Sequence, residues 1–272
     1  MASVPDNSTQ LRYTLSGTQN NLAAAFFLDS ALFIGSGESL QMPLPLPPEQ
    51  ILDQVGPAEE RRQIAAIFFD TYHPPLAFIS KARILALSTR DIQIDVALVL
   101  LCMKLVTSEP LRANIRPEIF ETYRIVKEYM VEVELYGFLT IRVLQAVLLI
   151  AIYEIGHGIY PSAYMTIGTC ARYGLTLGLN QKLNEFENHP NRWIEKEEQN
   201  RAWWTILILD RYDMRYTSSV NTGLRTSVRH VNIGCSSLSL CTPDPSPDNL
   251  LPIDDIEWDR GVSGPFIGSC YG

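Results

Sequence analysis

Two long apolar segments, residues 91–106 and 140–155, constrain the fold of this 272-residue chain more than any other feature. Their longest apolar runs are 96–103 and 143–153, and Gln145 interrupts the second. Both runs are shorter than the roughly 20 residues that a helix needs to cross a bilayer. A helix that is apolar on nearly every side has to be surrounded by other helices. We therefore expect both segments to be buried in a helical core.

The rest of the pattern consists of amphipathic segments that glycine and proline separate. Apolar residues recur in them at three- and four-residue steps, as on one face of a helix. These segments are 57–69, 117–134, 162–179 and 195–217, with a further short helix expected at 21–33 and a connector or turn at 78–83. The predicted fold class is all-α: an irregular bundle of about six or seven helices, followed by a C-terminal coil rich in Pro, Ser and Asp.

Composition divides the chain into three parts. Residues 1–56 are expected to be a loose N-terminal segment with a Pro-rich linker, 57–233 a helical domain, and 234–272 an acidic coil rich in Pro and Ser. Residues 244–259 hold six acidic residues and no base. That composition is typical of an acidic-hydrophobic activation segment. It also fits a coil that wraps the protein surface, which is the interpretation we favour.

Charge and cysteine content disfavour several functions. The net charge of -8 works against non-specific binding to nucleic acid or to anionic membranes, which carry the same sign of charge. The five cysteines include no C-x-x-C pair, which argues against zinc ribbons, and their odd number indicates reduced thiols. Phosphate-binding glycine loops and hydrolase motifs are missing as well. Asp254 and Asp255 lack a partner acidic motif, so magnesium-dependent isoprenoid chemistry is disfavoured.

Four short motifs, in a fixed order, resemble a known family. They are FDTYHPPL at 69–76, ARYGLTLGL at 171–179, EQNRAWW at 198–204 with DRY at 210–212, and LLPIDD at 250–255. Together they resemble the middle homology region of fungal zinc-cluster transcription factors, over roughly residues 60–260. The resemblance implies that 57–233 is the regulatory domain of a transcription regulator, one that controls RNA polymerase II transcription in the nucleus.

The chain departs from that family in the part that binds DNA. The family's N-terminal C-x2-C-x6-C cluster, which holds two zinc ions, is absent here, and the sequence stops soon after the fourth motif. The coil 234–272 is therefore expected to be truncated. We expect no cofactor in this chain, with zinc only in the missing cluster and DNA contacted only indirectly or through such a module. The expected partners are the transcription machinery or a zinc-cluster protein, with no membrane and with a small-molecule effector as an open option.

The motif residues predicted to matter are Arg172, Gly178, Glu198, Arg201, Trp203, Trp204, Asp210 and Arg211. We expect most of them to stabilise the fold, because tryptophans bury large areas and buried charges need partners. Glu197 and Arg201 have the i,i+4 spacing of a helical ion pair, and Arg172 is the candidate partner of Asp210. In the alternative interpretation, Tyr173, Trp203 and Trp204 line a ligand pocket.

Two other functions stay open at this point. One is a helical enzyme or ligand-binding protein that acts on a small hydrophobic molecule, and the enzyme version needs carboxylates that converge on a metal. The other is a helical scaffold, which predicts a dense core and an exposed apolar patch. Because paired acidic motifs are missing, the chain is predicted not to be an enzyme, and no catalytic or metal-binding residue is assigned.

Overall fold

The computed structural model describes residues 46–72, 77–88, 92–108, 117–159, 161–180, 190–220, 240–245, 251–253 and 258. All of them lie in one compact unit, Leu44–Gly272. These residues form eight α-helices and no strand, which confirms the all-α prediction. The helices are α1 (Glu49–Val55), α2 (Ala58–Thr71), α3 (Lys81–Ser88), α4 (Ile94–Val106), α5 (Pro117–Leu135), α6 (Ile141–Gly156), α7 (Ser162–Thr176) and α8 (Pro190–Val220).

Helix α4 lies at the centre of the bundle. Every one of its residues is buried except Lys104, whose Nζ donates a hydrogen bond to the carbonyl of Gln54 at 2.6 Å. It packs against α1, α2, α3, α5 and α6. Helix α6 is the second core helix and packs against α4, α7 and α8. The two apolar segments of the sequence are therefore the buried core, as predicted.

Helices α5, α6 and α7 are each followed within two residues by a glycine that adopts the left-handed backbone conformation. Gly137, Gly158 and Gly178 have φ values of 70°, 64° and 72°, and a residue with a Cβ is strained there. At the end of α7 the amide of Gly178 donates to the carbonyl of Leu175 at 3.0 Å, and the next residue, Leu179, is buried. This pattern of reversed hydrogen bonds closes a helix and turns the chain back onto the core.

Two short helices were not expected from the sequence. Helix α1 lies inside the segment predicted to be loose, and its Ile51 and Val55 are buried. Helix α3 begins inside the predicted connector at 78–83, extends beyond it and buries Ile84 and Ser88. With only one or two turns, neither helix shows enough of a 3.6-residue period to be detected. The helix expected at 21–33, residues 1–45 as a whole and most of the coil 234–272 lie outside the described residues.

Helix α8 is longer than predicted and supports the candidate site. Its 31 residues correspond to a length of about 46 Å at 1.5 Å per residue. It packs against α6 and α7. Within the described part of the chain, no helix combines the length and the apolar character that crossing a membrane requires.

Candidate functional site on helix α8

Helix α8 meets α7 at a glycine. A Cβ added to Gly174 would lie 2.8 Å from Ile206 Cδ1 and 3.1 Å from the ring of Trp203. Both of these side chains are buried, with Trp203 only 4% exposed, whereas Trp204 is half-buried. The two helices can approach this closely because residue 174 has no side chain. Trp203 is thus a packing residue of the α7–α8 contact.

Glu198 forms a buried polar contact between α8 and the segment that precedes α3. Its carboxylate accepts hydrogen bonds from the amide of Ser80 at 3.0 Å and from Gln145 Nε2 at 2.9 Å. Arg83 pairs with the other oxygen. Gln145 also donates to the carbonyl of Phe78 at 2.9 Å. The polar residue that interrupts the apolar run of α6 is therefore used to satisfy this carboxylate.

Arg201 connects α8 to two distant segments. Its Nη1 donates to the carbonyl of Ala77 at 3.0 Å, and its Nη2 donates to the carbonyl of Ile253 at 2.7 Å. Its Nε donates to Glu197 at 2.8 Å, so the predicted i,i+4 pair is present. The guanidinium also lies 4.2 Å from the ring centroid of the buried Trp258. A desolvated cation over an indole ring adds to the stability of this contact.

Glu197 completes the contact with the C-terminal coil. Its Oε1 accepts from the amide of Ile253 at 2.9 Å as well as from Arg201. Burial raises the pKa of Glu197 above its usual range, while the Ile253 amide and Arg201 act in the opposite direction. The carboxylate is therefore held in place by groups that only partly offset the cost of removing it from water. We call the group formed by Glu197, Glu198 and Arg201 the Glu197–Arg201 site.

Asp210, three helical turns further along α8, binds the first part of the coil. Its carboxylate accepts from the amides of Cys241 at 3.2 Å and Thr242 at 2.9 Å. It also accepts from the hydroxyl of Thr242 at 2.6 Å. Asp210 and Thr242 are both buried. Three donors from the coil thus satisfy one carboxylate, as a buried charge requires.

Arg211 holds the same part of the coil from the side. Its Nη1 donates to the Thr242 hydroxyl at 3.2 Å, and its Nη2 donates to the carbonyl of Pro243 at 3.1 Å and to Asp244 at 2.9 Å. We call Asp210 and Arg211 the Asp210–Arg211 site. In the residues that the structure describes, the coil therefore lies against α8, in line with the wrapping interpretation.

Arg172 lies elsewhere, and its predicted pairing with Asp210 is wrong. On α7, Ala171 and Gly174 occupy the buried face, whereas Arg172 is exposed. The helical period shows which residues share a face, but it does not show which neighbour that face meets. The carboxylate of Asp210 is instead satisfied by the coil.

Of the three residues predicted to line a ligand pocket, Tyr173 lines a groove that neither Trp203 nor Trp204 lines. An open groove of about 390 Å³ lies between the end of α5 and α7, with Phe138, Arg172 and Tyr173 among its lining residues and neither tryptophan. The hydroxyl of Tyr173 donates to Glu134 at 2.9 Å. Burial, and then the Glu134 carboxylate, raise the pKa of Tyr173.

Two buried carboxylates were missed by the sequence analysis. Glu154 is 0% exposed and accepts from the Tyr123 hydroxyl at 2.6 Å and from Lys127 at 3.1 Å. Asp95 is buried in α4 and accepts from Arg142 Nε at 2.8 Å. Both acids interrupt apolar helical segments, and that interruption is a signal that they need buried partners.

The third motif lies on α8, and it contacts the second motif, the fourth motif and the chain directly after the first. Residues of the third motif bind the chain directly after the first, at 77–80, and Ile253 of the fourth. The second motif supplies Gly174 for the α7–α8 contact and Gly178 for the end of α7. Residues 73–76, 250 and 254–255 of these motifs lie outside the described residues.

Comparison with known proteins finds a family profile and a relative that match this chain. A sequence profile described as "Fungal specific transcription factor domain" matches residues 65–262, which include both sites on α8. Transcription factor BOA15 of Botryotinia fuckeliana (strain B05.10) is 33% identical over 182 residues, covering 65% of this chain and 99% of that protein. No solved structure matches the chain.

Proposed function

Since the chain belongs to the fungal-specific transcription factor domain family and is a transcription regulator, we propose that its helical part is the regulatory domain through which it acts in the nucleus. The observation that carries this proposal is the family match over 65–262. Both sites on α8 fall within that match and tie distant segments into one folded unit. Such a unit is suited to receive or transmit a signal rather than to read DNA itself.

We further propose that this domain does not act as an enzyme. The buried carboxylates of Glu197, Glu198 and Asp210 are engaged by amides, hydroxyls and guanidinium groups of the chain itself. A carboxylate that is held in this way is unavailable to a substrate as an acid or a base. These contacts support a structural role for the three acids.

We also propose that this domain holds no cofactor. Burial raises the pKa of the Cys102 and Cys170 thiols, which keeps them protonated and unable to act as thiolate ligands. DNA would then be contacted through a separate zinc-cluster module or partner protein, and transcription would be controlled through the transcription machinery. A small-molecule effector could bind in the open groove beside Tyr173.

A tethered reporter assay tests the proposal. The full chain is fused to an unrelated DNA-binding domain and a fluorescent protein, and expressed in a fungal cell that carries a matching reporter gene. We expect nuclear fluorescence and a several-fold change in reporter output. The Arg201→Met fusion should lose the change in output, because Arg201 joins three segments of the domain.

The matched control removes an arginine that is exposed and that, among the described residues, pairs only within its own helix. Arg124 of α5 pairs with Glu121 and Glu128 at the surface, and the Arg124→Met fusion should retain the output. If the parent fusion is nuclear, folded and abundant but leaves the reporter unchanged, the proposal is wrong. If the Arg201→Met fusion is as abundant as the parent fusion and changes reporter output to the same extent, the folded domain is not responsible for the effect.

A further inference from the structure

The coil that binds α8 contains two residues with the local sequence that proline-directed protein kinases select. The chain has 17 prolines, and only Pro243 and Pro247 directly follow a threonine or a serine. The two dipeptides are Thr242-Pro243 and Ser246-Pro247. A proline directly after the modified residue has no backbone N–H and a fixed φ. The active site of a kinase can be shaped to accept this backbone and to reject other residues.

Thr242 is the buried residue among those that fix this part of the coil to α8. It is 4% exposed, whereas Cys241, Pro243 and Asp244 on either side are exposed. Its hydroxyl donates to Asp210 at 2.6 Å and accepts from Arg211 at 3.2 Å. The contact between Thr242 and Asp210 therefore depends on the hydroxyl proton of Thr242.

A phosphate on this hydroxyl is incompatible with the contact. The phosphoester oxygen has no proton to donate, and the phosphate carries a charge of about −1.5 to −2 at pH 7. It would lie against the Asp210 carboxylate, which now accepts the Thr242 proton. The single positive charge of Arg211 is already shared with Asp244 and with the carbonyl of Pro243. Repulsion therefore favours the detached coil.

We propose that Thr242 is a phosphorylation site for a proline-directed protein kinase, and that the phosphate keeps residues 240–245 detached from α8. The kinase transfers the γ-phosphoryl group of ATP to the Thr242 oxygen. The new O–P bond replaces the bond to the bridging oxygen of ATP, ADP leaves, and the hydroxyl proton passes to the base of the kinase. The inference rests on the docked coil and not on the transcriptional role, so the two are tested independently.

Because Thr242 is buried when docked, the kinase acts on the transiently detached coil. The rate of modification then follows the population of that open form. Arg211→Met removes the hydrogen bonds that Arg211 donates to the coil and leaves Thr242 intact. We expect it to raise the rate of Thr242 phosphorylation several-fold. Arg62→Met, which removes an exposed arginine of α2 paired with Glu59, should leave the rate unchanged.

The experiment incubates the purified full chain with a proline-directed kinase and Mg-ATP, and follows the phosphate on Thr242 by mass spectrometry. A free peptide spanning 238–250 is the kinase control. The proposal is overturned if the peptide is not modified at Thr242. It is equally overturned if the peptide is modified but the Arg211→Met chain is not.

Hydrogen exchange tests the second half of the proposal. The amides of Cys241 and Thr242 both donate to Asp210, and in the phosphorylated chain they should exchange at least tenfold faster. Thr242→Val removes the hydroxyl without adding charge, so it should speed exchange less than the phosphate does. Unchanged amide protection in the phosphorylated chain would refute detachment, and an equal effect of Thr242→Val would refute the role of charge.

Discussion

Replacing Arg201 by methionine should be among the most damaging single changes in this domain. Methionine keeps an unbranched apolar side chain at this position but removes the guanidinium, and with it every donor and the contact with Trp258. The carboxylate of Glu197 then loses its cationic partner, and the carbonyls of Ala77 and Ile253 lose their hydrogen bonds. Removal of one partner from a buried ion pair costs about 3–5 kcal/mol. Total stabilities are about 5–15 kcal/mol, so the loss is a large part of the whole.

A double variant identifies the origin of that cost. Much of it comes from the charge of Glu197 that is left buried, and Glu197→Gln removes this charge while keeping an oxygen for the Ile253 amide. Combining Glu197→Gln with Arg201→Met should therefore recover about 1–3 kcal/mol relative to Arg201→Met alone. Urea unfolding at pH 7, followed by circular dichroism and tryptophan fluorescence, measures each free energy.

Two results would refute this reasoning. In the first, the free energy of unfolding of Arg201→Met lies within about 0.5 kcal/mol of that of the parent chain, as for an ordinary surface substitution. The contacts of Arg201 would then contribute little to stability. Strict additivity of the two substitutions would mean that Glu197 and Arg201 do not interact energetically. Arg124→Met, the surface control, should leave the urea midpoint unchanged.

Gly178→Ala should lower the free energy of unfolding by about 1 kcal/mol, because residue 178 has a φ of 72° and a side chain is strained there. The control Gly156→Ala, whose Cβ would meet nothing within 4 Å, should not lower it. Equal urea midpoints for the two variants would refute the strain at residue 178. Glu197 has a raised pKa, so the folded state binds its proton more tightly, and stability should fall as pH rises from the ordinary pKa of 4.5 through the raised folded value. Urea unfolding measured at several pH values across this window should show no such fall in stability for Glu197→Gln. Identical pH profiles for the parent chain and Glu197→Gln would contradict the raised pKa of Glu197. Arg172→Ala should leave the urea midpoint unchanged, but Asp210→Ala should cost about 2 kcal/mol; equal losses would revive the pairing of the two residues.

The fold was predictable where the determinants are local. The apolar content of residues 143–153 requires burial wherever the helix lies, and the glycines at 158 and 178 mark ends because of their own backbone conformation. The helical period also separates the buried Trp203 from the half-buried Trp204. Each of these features depends on residues within a few positions of one another.

Apart from the i,i+4 pair of Glu197 and Arg201, the partners of the site residues were not predictable, for a physical reason. Arg201 donates to the carbonyls of residues 77 and 253, which are 124 and 52 positions away. Asp210 accepts from two backbone amides of the coil. Every residue has a carbonyl and nearly every residue has an amide, so these partners leave no mark in the sequence. Side-chain pairing alone suggested Arg172 for Asp210, and that was wrong.

The attachment of the coil to α8 also closes a loop in the covalent chain, and the entropy of that closure opposes the contact. Arg211 and Thr242 are 31 positions apart and hold the two ends of that connection together. The entropy of closing a loop grows slowly with length, by about 0.6 kcal/mol for each doubling. Lengthening the chain between Arg211 and Thr242 should therefore weaken the contact less than the loss of either anchoring residue.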